Sequence, residues 1–215
     1  MKKKLILAAT LAALSSAALA DTTAAAKVST LGYGLDVAFP MTESIDARIG
    51  FNTFSYNTNK NSNGTNYSGQ LSLGTLAALA DWHPWEGSFR LTGGLMYNNN
   101  KFSMTAQPTG ATVMVGGKPY AAAGTSVNAN VTFGTIAPYL GLGWGSAPKD
   151  TGFSFAADFG IMFQGKPKGA VTATGPGANQ AGLQNSLIQA NADLNASLKN
   201  FQYYPVASVG IGYTF

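Results

Sequence analysis

The 215-residue chain contains no cysteine, so neither a disulfide framework nor a thiolate metal site is open to it. Charge is scarce: only 10% of residues are Asp, Glu, Lys or Arg. Thirteen basic residues stand against nine acidic, but Lys2, Lys3 and Lys4 crowd the N-terminus, leaving ten against nine over the rest. A chain so near neutrality carries no nucleic-acid footprint. His83 is the one histidine. With scattered carboxylates it offers no ligand spacing for zinc, and the asparagine run 98–100 lacks the clustered oxygens that calcium needs. No metal and no cofactor are expected. Beyond the N-terminal segment no stretch of eighteen consecutive apolar residues occurs, which excludes a helical membrane protein.

The first twenty residues set a lysine triplet before an apolar core, Leu5 to Leu14, and end in Ala18-Leu19-Ala20. This is the pattern of an exported leader cleaved after a small residue, and ten apolar residues are too few to span about 30 Å of hydrocarbon. Residues 1–20 are therefore expected to be a signal peptide, and 21–215 a single domain.

What the rest does have is glycine, aromatics and alternation. From Leu31 to Phe39 the odd positions are Leu, Tyr, Leu, Val and Phe, while the even ones are Gly, Gly, Asp and Ala. Ile45, Ala47, Ile49 and Phe51 repeat the pattern. So do Phe89, Leu91, Gly93, Leu95 and Tyr97, then Pro138, Leu140, Leu142 and Trp144, then Phe153, Phe155, Ala157, Phe159, Ile161 and Phe163. Side chains alternate faces in a strand, so each segment is greasy on one face and small or polar on the other. The backbone of a lipid-spanning chain must be satisfied internally, which admits a helix or a closed barrel. The expected fold is all-β: a transmembrane antiparallel up-and-down barrel, its hydrogen bonding closed on itself.

Adding a segment from Tyr67 to Trp82, with its phase blurred by a bulge near Thr75 and Leu76, and a final one from Tyr204 to Phe215 makes seven strands. An even number is required. The eighth is assigned to the weakly patterned Thr22 to Ser29, with a cryptic strand around Val171 as the alternative. Short connections belong to the periplasm and long ones to the exterior, which puts 40–44, 83–88 and 145–152 inside and 57–66, 99–130 and 165–202 outside. The stretch 99–130 reads as a large loop without a lipid-facing pattern. In the last connection Leu183, Leu187, Ala190, Leu194 and Leu198 recur at steps of four, three, four and four, the spacing of an amphipathic helix.

The terminal VASVGIGYTF, closing on Tyr213 and Phe215, looks like the signal by which the outer-membrane assembly machinery recognises barrels. With GLGWG and the turn DWHPW, the chain resembles the small OmpA-like and OmpW-like outer-membrane barrels, within a widespread proteobacterial group. The resemblance implies a location in the bacterial outer membrane and contact with its lipid and lipopolysaccharide. A monomer is expected, and fold alone does not fix function.

Five charged residues point inward by alternation: Asp36, Asp46, Arg48, Arg90 and Asp158. The lumen of a small barrel is filled by side chains, so these are read as a structural network, with a narrow polar path as the functional alternative. His83 falls in the turn Asp81, Trp82, His83, Pro84 and Trp85, where aromatic residues mark the interface. Catalysis needs a base within reach of a nucleophile, and the resemblance would place a lipid-modifying enzyme's site toward the outer leaflet, away from His83. The helix stripe of Leu183, Leu187, Leu194 and Leu198 must cover the rim, the outer loops or a partner. Lining a pocket with 99–130, it would admit small hydrophobic molecules, as OmpW-like barrels are thought to do. Three functions stay open: a non-enzymatic structural or surface barrel that passes a small hydrophobic solute, a lipid-modifying enzyme, and an adhesin or receptor acting through its loops.

Overall fold

The computed structural model describes residues 21–62, 64–85, 87–122, 124–145 and 151–215. The leader assigned to residues 1–20 lies outside them. The elements are β1 (Thr23–Ser29), β2 (Gly32–Pro40), β3 (Ile45–Ser62), β4 (Thr65–Trp82), β5 (Phe89–Asn98), β6 (Lys101–Pro108), β7 (Thr112–Val115), β8 (Lys118–Ala121), β9 (Ser126–Thr132), β10 (Ile136–Trp144), β11 (Gly152–Phe163), β12 (Lys168–Thr174), α1 (Leu183–Leu198) and β13 (Tyr203–Thr214).

Eight strands close into a ring in the order β1, β2, β3, β4, β5, β10, β11, β13, all antiparallel. The seam is made by β1, which pairs with β2 on one side and β13 on the other. The segment supplied to satisfy parity thus closes the barrel. The alternative around Val171 is also a strand, β12, but it lies off the ring and pairs with β9. Closure leaves no ring edge and satisfies every backbone group within the wall.

The outer wall follows the alternation. Tyr33, Leu35, Ile49, Phe51, Leu95, Leu140, Phe155, Phe159 and Ile211 are all exposed on it. Aromatic rings gather at both ends of this belt. Trp85, Phe89 and Trp144, and separately Phe153, Tyr213 and Phe215, stack at the end of the short turns. Phe163 and Tyr203 meet at the other end. An apolar belt between aromatic girdles is the outer surface of an outer-membrane barrel.

Three expectations need correction. β4 carries no bulge, since it keeps one register with β3 from Ile45–Trp82 to Ser62–Thr65. Its phase is blurred because Leu79 turns inward and is buried among lumen side chains. In the polar stretch 57–66, expected as a loop, residues 57–62 and 65–66 are instead paired in the upper half of β3 and β4. The stretch 99–130 contains four strands. Of these, β6 and β9 extend the sheet from the upper half of β4, with β12 beyond, and β7 and β8 form a separate hairpin. These strands stand beyond the lipid, so nothing demanded a greasy outer face, and a pattern search tuned to lipid passes over them.

This external sheet of β3, β4, β6, β9 and β12 has two unlike faces. Cross-strand partners share a face. The rows Tyr56–Leu71–Phe102–Val131–Gly169 and Thr58–Gly69–Met104–Ala129–Val171 continue the lumen face upward. The rows that alternate with them continue the lipid face but, Ala170 apart, are built of Ser, Thr, Asn, Gln and Lys.

Helix α1 seals one end of this sheet. Leu183 and Leu187 are buried with Val113 and Val115 of the hairpin, and Val127, Val171 and Ala173 pack against that cluster. Leu194 and Leu198 lie half-buried over Gly169, where a Cβ would strike them. The stripe read from the sequence therefore covers the external sheet and hairpin rather than the barrel rim. The outer edge of β12 is closed by amides. Asn191 donates to Val171 O (2.9 Å) and accepts from Val171 N (2.8 Å), while Asn195 does the same with Gly169 (2.8 and 3.0 Å). Four helical residues rise about 6 Å and two strand residues about 6.7 Å, so two asparagines one turn apart meet successive outward peptides of an edge strand.

Candidate functional site

The inward-facing residues fall into three tiers along the strands. Nearest the short turns is a charged tier contributed by seven of the eight ring strands: Lys27, Asp36, Arg48, Asp81, Arg90, Asp158 and Ser208. Arg48 is the hub. Its Nε and Nη2 reach the two carboxylate oxygens of Asp81 at 2.8 and 2.9 Å, and its Nη1 lies 3.4 Å from both Asp36 and Asp158. Lys27 Nζ meets Asp36 at 2.7 Å and Arg90 Nη2 meets Asp158 at 2.6 Å. Hydroxyls complete the set: Thr92 donates to Asp81 (2.6 Å) and Ser208 to Asp158 (3.1 Å). Arg90 also donates to Gly145 O.

Three cations face three carboxylates, so the cluster is neutral as a whole. Its members are almost entirely buried. Buried charges persist only when paired and hydrogen-bonded; every charge here has an ion-pair partner, while Asp36 Oδ1, Arg48 Nε and Arg90 Nε meet theirs outside hydrogen-bond geometry. Gly143 is part of the fit, since a Cβ there would lie 2.7 Å from Asp158 Oδ1 and 2.9 Å from Arg90 Nε.

Of the five lumen residues expected from alternation, the structure brings Asp36, Arg48, Arg90 and Asp158 together. Asp46 stands apart, half-buried at the turn end, where its Oδ2 meets His83 Nε2 at 3.1 Å. Two charged members were not expected in the network. Asp81 was assigned to the periplasmic turn but sits in β4 facing inward, opposite Asp46 in register. Its place after Ala77 and Leu79 at every second position carried that signal. Lys27 lay in the weakly patterned first strand. The turn itself contains His83, Pro84 and Trp85, while Trp82 ends β4 on the lipid side. His83 Nδ1 donates to Gly87 O at 3.2 Å, so both ring nitrogens hold the turn together.

Above the charged tier is an apolar plug of Leu31, Ala77, Leu79, Met96, Ala137, Tyr139, Met162 and Val206. The cavity on the turn side of the plug holds about 60 Å³, room for a few waters. Between the charges and the plug only about 10 Å³ remains. Above the plug comes a third tier of buried amides. Asn52 Nδ2 donates to Thr75 (3.0 Å), Asn100 accepts from Gly74 N (3.0 Å), and Gln164 donates to Phe201 O (3.1 Å). Asn52 Oδ1, Asn98 Nδ2, Asn100 Nδ2 and Gln164 Oε1 are buried there without a protein partner.

Two solved structures share this shape. CarO2 of Acinetobacter baumannii is 21% identical, with a TM-score of 0.58 over 90% of this chain and 98% of that one. CarO of the same organism is 20% identical, with a TM-score of 0.55 over 90% and 97%. The chain is an outer-membrane β-barrel. Neither a protein-family model nor a curated protein matches it. At such identity the likeness carries the eight-stranded fold, and none of these findings ties the chain to the OmpA-like or OmpW-like barrels in particular.

Proposed function

We propose that the chain is a non-enzymatic barrel with a closed lumen that acts through its external sheet, where it holds a small, largely apolar molecule with a hydrogen-bonding head. The observation that carries this reading is the continuity of two surfaces. On β3, on β4 and along the run from β5 into β6 the inward positions lead from the buried amides of Asn52, Asn98 and Asn100 into the apolar face of Tyr56, Leu71, Phe102 and Met104. Helix α1 covers this face over β9 and β12, while Tyr56, Phe102 and Met104 remain exposed. Buried polar atoms call for partners and an open apolar face calls for cover. A ligand with a polar head and an apolar body supplies both.

The filled lumen supports a surface role over free passage. A solute crossing the barrel would have to displace Leu31, Met96 and Met162 and then part the Arg48 cluster, which is neutral and already paired. The test is twofold. Refolded protein in planar bilayers is expected to be electrically silent; discrete open-channel steps would overturn the closed lumen. A fluorescent amphiphile with an amide head, titrated onto protein in lipid nanodiscs, is expected to bind saturably above the empty-disc background and to lose that binding in Phe102→Asp. Binding no greater than to empty discs would sink the ligand reading.

A further inference from the structure

The external segments are strongly one-sided in charge. Residues 54–73, 100–134 and 164–202 carry six lysines, Lys60, Lys101, Lys118, Lys166, Lys168 and Lys199, against one carboxylate, Asp193. Two of the six, Lys101 and Lys168, stand at one level. The row Ser55–Ser72–Lys101–Thr132–Lys168 crosses all five strands of the external sheet on the face that continues the lipid-facing wall. Lys101 and Lys168 are two strand spacings apart, roughly 10 Å, and both are exposed, as is Lys166, two residues before Lys168 in the chain.

The level of this row is fixed by the belt beneath it. The last lipid-facing row runs Phe51–Leu76–Tyr97–Ile136. Ser55 lies four residues beyond Phe51, about 13 Å along the strand and roughly 10 Å along the barrel axis at a tilt of about 40°. The polar layer outside the hydrocarbon begins at that height. The row contains only hydroxyls and ammoniums, groups that donate hydrogen bonds to anionic oxygens, and the neighbouring rows on this face add amides and hydroxyls without a carboxylate.

We propose that this face binds the phosphate groups of lipopolysaccharide in the outer leaflet, with Lys101, Lys166 and Lys168 as the phosphate contacts and Ser55, Ser72 and Thr132 as flanking donors. Charge complementarity selects this partner: a net cationic band at headgroup depth meets the anionic layer of the same membrane. The occupant is distinct from the apolar ligand of the opposite face, so neither reading depends on the other.

The test uses the refolded full chain in detergent micelles, titrated calorimetrically with diphosphoryl lipid A, with dephosphorylated lipid A and with inorganic phosphate. Each lysine near an anionic lipid surface is worth about a five-fold change in affinity, so Lys101→Gln, Lys166→Gln and Lys168→Gln combined should weaken diphosphoryl lipid A on the order of 100-fold. A triple variant of Lys60, Lys118 and Lys199 to Gln removes the same charge elsewhere and should bind close to wild type. Retention of barrel circular dichroism confirms that both variants fold. The proposal fails if the two triple variants weaken binding equally, if the first binds as wild type, or if dephosphorylated lipid A or inorganic phosphate binds as well as the diphosphoryl lipid.

Discussion

Replacing Arg48 by Met should expose how the charged tier is held. The substitution keeps an unbranched side chain of similar length and removes the cation shared by three carboxylates. Asp36 retains Lys27 at 2.7 Å, and Asp158 retains Arg90 at 2.6 Å and Ser208 at 3.1 Å. Asp81 loses most, being left with the Thr92 hydroxyl at 2.6 Å and Arg90 Nε at 3.8 Å. The deficit is one buried negative charge, and removing one partner of such a pair costs roughly 3–5 kcal/mol. Arg48→Met combined with Asp81→Asn restores neutrality and should recover at least half of that loss. Urea unfolding of the refolded barrel in lipid can be followed by fluorescence, because Trp82 and Trp144 sit on the lipid face and enter water on unfolding. With a slope of about 3 kcal/mol per molar urea, the single variant should shift the midpoint down by at least about 1 M. A single variant within about 1 kcal/mol of wild type, or a double variant no more stable than the single, would refute the idea that Arg48 is the electrostatic hub.

Two other perturbations probe separate parts of the molecule. Asn191→Ala with Asn195→Ala strips four hydrogen bonds from the edge of β12; at about 1 kcal/mol net for each bond, amide exchange at Gly169 and Val171 should rise by more than tenfold while the ring strands keep their protection. Unchanged exchange at those two amides would show that the edge needs no cap. Gly141→Ala puts a methyl group 2.6 Å from the Tyr139 hydroxyl. Overpacking of this kind costs about 1–3 kcal/mol, part of which Tyr139→Leu should return in the double variant, as thermal unfolding of the two would reveal.

The barrel was legible because lipid imposes a rule on every second residue. Tyr33 to Phe39, Phe89 to Tyr97 and Phe153 to Phe163 obey it and lie in β2, β5 and β11, whereas Leu31, which the same alternation put on the lipid face, precedes β2 and is buried in the lumen plug. Even the poorly patterned first strand followed from parity. The lumen was legible in part, since Asp36, Arg48, Arg90 and Asp158 sit opposite greasy positions. Asp81 was hidden by the aromatic and proline residues that follow it, which read as a turn from the wrong end. The external strands were illegible for a different reason. Their alternation is present, as Phe102, Met104 and Ala106 against Lys101, Ser103 and Thr105 show, but both solvent and a packed helix accept small and polar residues there. Nor does any one-dimensional pattern say that Asn191 and Asn195 face a strand edge, because that match exists only once the helix and β12 are side by side.

One register unites the two halves of the molecule. β4 pairs with β5 below and with β6 above, and stepping from Thr75–Asn98 to Ser72–Lys101 advances three residues on each side, so the lattice runs unbroken past Asn99 and Asn100. A ladder without slip is stiff along its length. The external sheet therefore behaves as a mast stepped through the deck: when the barrel tilts or turns in the bilayer the sheet swings with it, and a spin label on the exposed Gln107 of β6 would report the orientation of strands buried in lipid far below.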